Sequence, residues 1–208
     1  MKKIIFLIIC VLFIGCTKHQ TNSSEFNDSD TICCDPPSDI LDLQPYDNIS
    51  SKNIQDVKNN ITTFMFNYIP LIVEILPNKK LPNKFIYKPR NRYWAVPILK
   101  YEQLNSSNME NNYAIIGITD KDISTSIHGE YNYGIMGLSF INSKVGIVST
   151  YRVSNQNLWK IVLHEFLHTR GLKHCHNKYC IMCEGGKNVS IRKTLCKYHT
   201  EQLHNKYN

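Results

Sequence analysis

The stretch His164-Glu165-Phe166-Leu167-His168-Thr169-Arg170-Gly171-Leu172-Lys173-His174 sets two histidines four residues apart, with an acid beside the first. On a helix that spacing puts both imidazoles on one face, one turn apart. Neutral imidazole nitrogens bind zinc at about 2.0–2.1 Å, and a catalytic zinc takes three protein ligands and leaves one position for water. Glu165 then lies where a carboxylate can take the proton of that water. Gly171 reads as the helix stop, because glycine enters the left-handed backbone region without steric cost. Beyond it the chain can turn back and offer His174 as the third ligand. The pattern is that of a zinc hydrolase site, and zinc is the expected cofactor.

The chain has 208 residues, 42% hydrophobic and 20% charged, enough for one globular domain with its own core. Its formal charge of +7 is spread along the sequence, and 22 asparagines accompany a general Asn/Lys/Ile bias. A dedicated nucleic-acid surface is therefore not expected, and the charge serves solubility. Residues 1–15 read as a lipoprotein-type signal peptide: Lys2 and Lys3, an apolar run from Ile4 to Ile14, then Phe13-Ile14-Gly15-Cys16 as the cleavage site. The run is shorter than the roughly 20 residues a membrane-spanning helix needs. Lipidation of Cys16 would anchor the protein to a membrane of the bacterial cell envelope, facing the periplasm or the outside.

Residues 16–50 read as the lipidated cysteine and a flexible tether, rich in Ser, Asn, Asp, Thr and Pro, with no apolar period. Cys33 and Cys34 lie within it. They read as spectators or as partners of another thiol, with masking of the zinc by a displaceable thiolate as the alternative. The catalytic domain is placed at 51–208. Ile54, Val57, Ile61 and Phe64 follow a Ser50/Ser51 cap at helical steps. Leu71–Leu76, Tyr113–Thr119, Ile135–Phe140 and Val145–Tyr151 read as strands. Arg92–Leu104 is weakly helical with a kink expected at Pro97, the zinc helix spans about Asn157–Arg170, and a last helix is expected over Val189–Leu203. The fold class is α+β: one mixed sheet with helices packed against it.

Cys175, Cys180, Cys183, Cys196 and His199 follow His174 closely. Four soft or borderline ligands from two short clusters suit a closed tetrahedral zinc site, with Cys196 and His199 on one helical face. Two readings compete with Cys175, Cys180, Cys196 and His199. In an exported protein the cysteines could form disulfides, or Cys180 and Cys183 could join Cys196 and His199 as a ribbon-like set.

From His164 through Cys175, and on to Cys180-Ile181-Met182, the sequence resembles the archaemetzincins, a branch of the metzincin metallopeptidases. Ile115–Asp122, Gly134–Phe140 and Val145–Arg152 are similar to that family's strands around the cleft, so the likeness covers most of residues 55–203. It implies a compact metzincin-like catalytic domain: a twisted mixed sheet with an edge strand over the cleft, a zinc-bearing active-site helix and a C-terminal helix. It further implies that Met182 forms the methionine turn beneath the catalytic zinc, and that Cys175, Cys180, Cys196 and His199 hold a second, structural zinc, with Cys183 as alternative ligand. Four features depart from the family pattern: His199 in place of the final cysteine, a shorter gap from Met182 to Cys196, the additional thiol Cys183 next to the methionine turn, and the lipoprotein leader. The expected activity is peptide-bond hydrolysis by a monomer acting on peptides or proteins, with Glu165 as general base. The alternative is a lipid-anchored zinc-containing binding protein without turnover.

Overall fold

Asp39–Tyr46 forms an interior strand, β1, with Leu41 and Leu43 fully buried. In the computed structural model, which describes residues 39–105, 110–127 and 129–207, β1 pairs in parallel with Leu71–Ile75 (β2) on one side and Tyr113–Thr119 (β5) on the other. This strand lies inside the span 16–50 that the sequence reads as a tether, and ahead of Ser51, where the sequence places the start of the catalytic domain. Buried polar residues hid the strand. The Tyr113 hydroxyl donates to Asp42, the Tyr207 hydroxyl donates to Asp39, and the Gln44 amide donates to the Pro77 carbonyl at 2.8 Å. Asp39, Asp42 and the Gln44 amide nitrogen are paired, which offsets their burial, while Gln44 Oε1 has no partner among the described residues; the strand's sequence nonetheless reads as polar. The leader, the Cys16 lipidation site, Cys33 and Cys34 lie outside the described residues.

Ser51–Met65 is helix α1; the Ser50 hydroxyl accepts from the Asn53 N–H at 3.2 Å, and Ile54, Val57, Ile61 and Met65 face the core. After β2 come Ile86–Tyr87 (β3), Arg92–Trp94 (β4) and Ala95–Asn105 (α2). Pro97 falls in the first turn of α2, where no intrahelical hydrogen bond is lost, so the kink expected there has no cause. Ile123–Ile127 (β6), Glu130–Ile135 (β7), Gly137–Ser139 (β8) and Val145–Ser149 (β9) follow β5.

The strands form two mixed sheets where one was expected: β2-β1-β5-β9-β8, and β3-β4-β6-β7. The single strand expected over Ile135–Phe140 is divided at Met136, with β7 completing the second sheet and β8 edging the first. β8 and β9 make the anticipated antiparallel hairpin, pairing Gly137 with Val148 and Ser139 with Gly146. Helix α3, Asn155–Thr169, buries nearly all its length, with Leu158, Val162, Leu163, Phe166 and Leu167 in the core. The final helix, α4, is Lys197–Tyr207; only a short 3-10 turn, Val189–Ile191, occupies the start of the helix expected over Val189–Leu203. The extended chain before α4 carries Thr194 and Cys196 back to Cys180.

Candidate active site

Helix α3 ends in a Schellman turn: the Leu172 N–H reaches the Leu167 carbonyl at 3.1 Å and the Gly171 N–H reaches His168 at 3.0 Å. Gly171 has φ +98°, as the sequence required, and a Cβ there would meet Asn142 Oδ1 of the β8–β9 turn at 2.6 Å. The reversal returns His174 to the helix. The Nε2 atoms of His164, His168 and His174 stand 3.0–3.1 Å apart in all three pairings.

Two of the rings are oriented from behind. His164 Nδ1 lies 2.8 Å from the Ile181 carbonyl and His168 Nδ1 2.7 Å from the Leu172 carbonyl. A carbonyl only accepts, so each Nδ1 carries the proton and each Nε2 presents a bare lone pair. Burial holds His168 down at about 4 and His164 well below the usual histidine range, so both rings stay neutral, the form that ligates metal. Three converging lone pairs repel unless a cation lies among them. Nitrogens bound tetrahedrally to one zinc at 2.0–2.1 Å stand about 3.3–3.4 Å apart, close to the observed triangle.

Glu165 is buried on the same helix. Its Oε2 and its own carbonyl lie 2.7 Å and 2.9 Å from the hydroxyl of Ser139 on β8. Burial pushes the Glu165 carboxyl up to about 8, against the Ser139 hydrogen bonds that favour its charged form. Gly137 makes room for this side chain: a Cβ there would meet Glu165 Oε1 at 2.6 Å and Cγ at 2.8 Å. Neither Ser139 nor Gly137 is recognisable from the sequence, because only pairing of β8 with β9 sets them over α3. A cleft of about 650 Å³ opens here, lined among others by His164, Glu165, His174, Gly137 and Arg192.

The floor of the site is the turn Cys180–Cys183, closed by the Cys183 N–H to the Cys180 carbonyl at 3.0 Å. Met182 within it is fully buried. Ile181 presents its carbonyl to His164, so the turn and the histidine triangle are one construction. The ligand atoms of Cys175, Cys180, Cys196 and His199 all lie within 4.8 Å of one another. His199 Nδ1 is 3.4 Å from Cys180 Sγ and 3.3 Å from Cys196 Sγ. Zinc bonds of about 2.3 Å to sulfur and 2.0 Å to nitrogen separate such ligands by about 3.5 Å, so the donors fit that ion.

Cys175, Cys180, Cys183 and Cys196 are free thiols, against the disulfide reading, and Cys183 stands outside the four-residue group. Cys196 immediately precedes α4, and its carbonyl accepts the helix's first intrahelical bond from the Thr200 N–H at 3.0 Å, one turn from His199. Arg192, which no sequence motif marks, is buried beside Cys175, Cys180 and Cys183.

This geometry defines a class, the zinc metallopeptidases. No family model matches the chain. It is 24% identical over 159 residues to the archaemetzincin of Haloquadratum walsbyi, an alignment covering 69% of this chain and 85% of that one. Over 69 residues it is 44% identical to the archaemetzincin of Nanoarchaeum equitans, covering 33% and 37%. Its fold matches the crystal structure of the Archaeoglobus fulgidus archaemetzincin with a TM-score of 0.64 at 21% identity, over 78% of this chain and 99% of that one. A zinc-dependent peptidase from Methanocorpusculum labreanum matches at 0.65 and 21% identity, with the same coverage. Curated archaemetzincins are thus the relatives that the sequence matches, and archaemetzincin crystal structures share its fold.

Proposed function

We propose that this protein hydrolyses peptide bonds with His164, His168 and His174 holding a catalytic zinc and Glu165 serving as general base. The observation that carries this reading is the convergence of three Nε2 atoms at 3.0–3.1 Å beside a buried carboxylate. A zinc ion held there would supply Lewis-acid chemistry, bringing the pKa of water from 15.7 toward about 7. Glu165 takes the proton of the attacking water and returns it to the departing amine nitrogen. Ser139 fixes the carboxylate for both transfers by holding Oε2 at 2.7 Å. Strand β8 ends its sheet, so its outer backbone groups are placed to pair with an extended substrate. Binding without turnover accounts less well for the buried acid, whose carboxylate gives a scaffold nothing.

The test is cleavage of an unstructured peptide library by the zinc-loaded full chain, read by mass spectrometry, with a chelator-treated control. Cleavage is expected only with metal. No cleavage by protein of verified zinc content would refute the reading.

Cys175, Cys180, Cys196 and His199 are proposed to hold a second, structural zinc that ties α4 to the loop leaving α3. The leader supports a further assignment: lipid attachment at Cys16, with the enzyme held as a monomer on a membrane of the cell envelope. Labelled palmitate should enter the full chain expressed in a bacterium and not its Cys16→Ser variant; equal labelling would exclude that anchor.

A further inference from the structure

Two guanidinium groups share one carboxylate at the far end of the cleft. Arg152 Nε and Nη2 donate to Asp122 Oδ1 and Oδ2 at 2.9 Å and 2.8 Å. Arg92 Nε donates to the same Oδ2 at 2.7 Å, and its Nη1 to the Asn132 carbonyl at 2.8 Å. The Asp122 side chain is only 10% exposed, so this single negative charge is committed between two positive ones. One positive charge is left over, and the Arg152 Nη1 has no hydrogen-bond partner among the described residues.

The position of that free group matters. Arg152 lines both the cleft that reaches His164 and Glu165 and an adjoining polar hollow of about 500 Å³. The hollow is also lined by Arg90, Arg92 and Glu130, so counting Asp122, three guanidiniums face two carboxylates. Gly134 of β7 is part of the construction: a Cβ there would come within 2.4–2.8 Å of the Arg152 guanidinium atoms. Gly137, against Glu165, is three residues further along the chain, and three residues span at most about 11 Å.

We propose that Arg152, pinned by Asp122 and admitted by Gly134, forms a carboxylate-binding subsite that selects peptides with an acidic group within about three residues of the scissile bond. The carboxylate is either an Asp or Glu side chain or the free C-terminus. This proposal rests on the peptidase reading and deepens it by naming a substrate class.

The probe is a pool of unstructured decapeptides, each made with Glu or Gln at one interior position and with a free or amidated C-terminus. Retention by zinc-loaded Glu165→Gln protein is read by mass spectrometry. Acidic members should be retained about fivefold over their neutral twins, the size of a part-exposed charge pair. The Glu/Gln arm and the acid/amide arm separate the two sources. In the Glu165→Gln, Arg152→Gln double variant that ratio should fall to about one, and Arg152→Lys should keep part of it. Equal retention of the twins, no retention of any form, or a preference that survives Arg152→Gln overturns the subsite. Failure of the wild-type protein to cut any peptide, with acidic forms still selectively retained, overturns the peptidase reading and leaves the subsite standing.

Discussion

Glu165→Gln is expected to lower peptide turnover at least a hundredfold, about 3 kcal/mol of barrier, with zinc content unchanged. The amide keeps the size of the carboxyl and fits the same space against Gly137, so packing alone predicts little effect. It cannot accept the water's proton, and it cannot return one to the leaving nitrogen. The three histidine Nε2 atoms are untouched, since Ile181 and Leu172 orient two of the rings without help from Glu165. The measurement is kcat on a cleaved peptide alongside zinc per chain by elemental analysis. A variant that turns over at the wild-type rate would remove Glu165 from the chemistry, and loss of zinc would make it a metal-site residue instead.

Cys180→Ala should cost the protein one equivalent of zinc and about 4 kcal/mol of stability or more, the contribution of an ion present at a thousandfold excess over its dissociation constant. For a chain of this size that is about 10 °C in unfolding midpoint. Cys180 is fully buried and lies at the junction of the cluster: its sulfur is 3.4 Å from His199 Nδ1 and accepts from the Cys196 N–H at 3.3 Å. Its loss frees the segment before α4 and loosens the turn whose Ile181 carbonyl orients His164, so peptidase activity should fall with it. His199→Cys, which keeps four ligands, should retain both zinc equivalents. Wild-type protein, reduced and folded, that carries a single zinc would reject the second site.

Much of the site was legible because its rules are local. Residues four apart on α3 must share a face, and a glycine at the end of a helix must mark its reversal. Elements were legible where hydrophobic period and caps agreed, as in α1 behind Ser50 and the strand Tyr113–Thr119. β1 was lost because Asp39, Asp42 and Gln44 are buried with partners far away in sequence. The C-terminal helix starts later than its sequence period suggests because the residues before it are held by Cys180, a contact no helical period encodes.

The sequence by itself determined which three histidines converge and which acid lies beside them, since one helix and one turn carry all their geometry. Only the tertiary structure decided what surrounds them. Ser139 reaches Glu165 across 26 residues, and Asp39 reaches Arg170 across 131, each through strand pairing or core packing. Arg152, in the turn after β9, meets Asp122 just before β6 and Gly134 of β7 in the same way. Such contacts depend on which strands become neighbours, and that is settled by burial of the whole core, not by the spacing of residues along the chain.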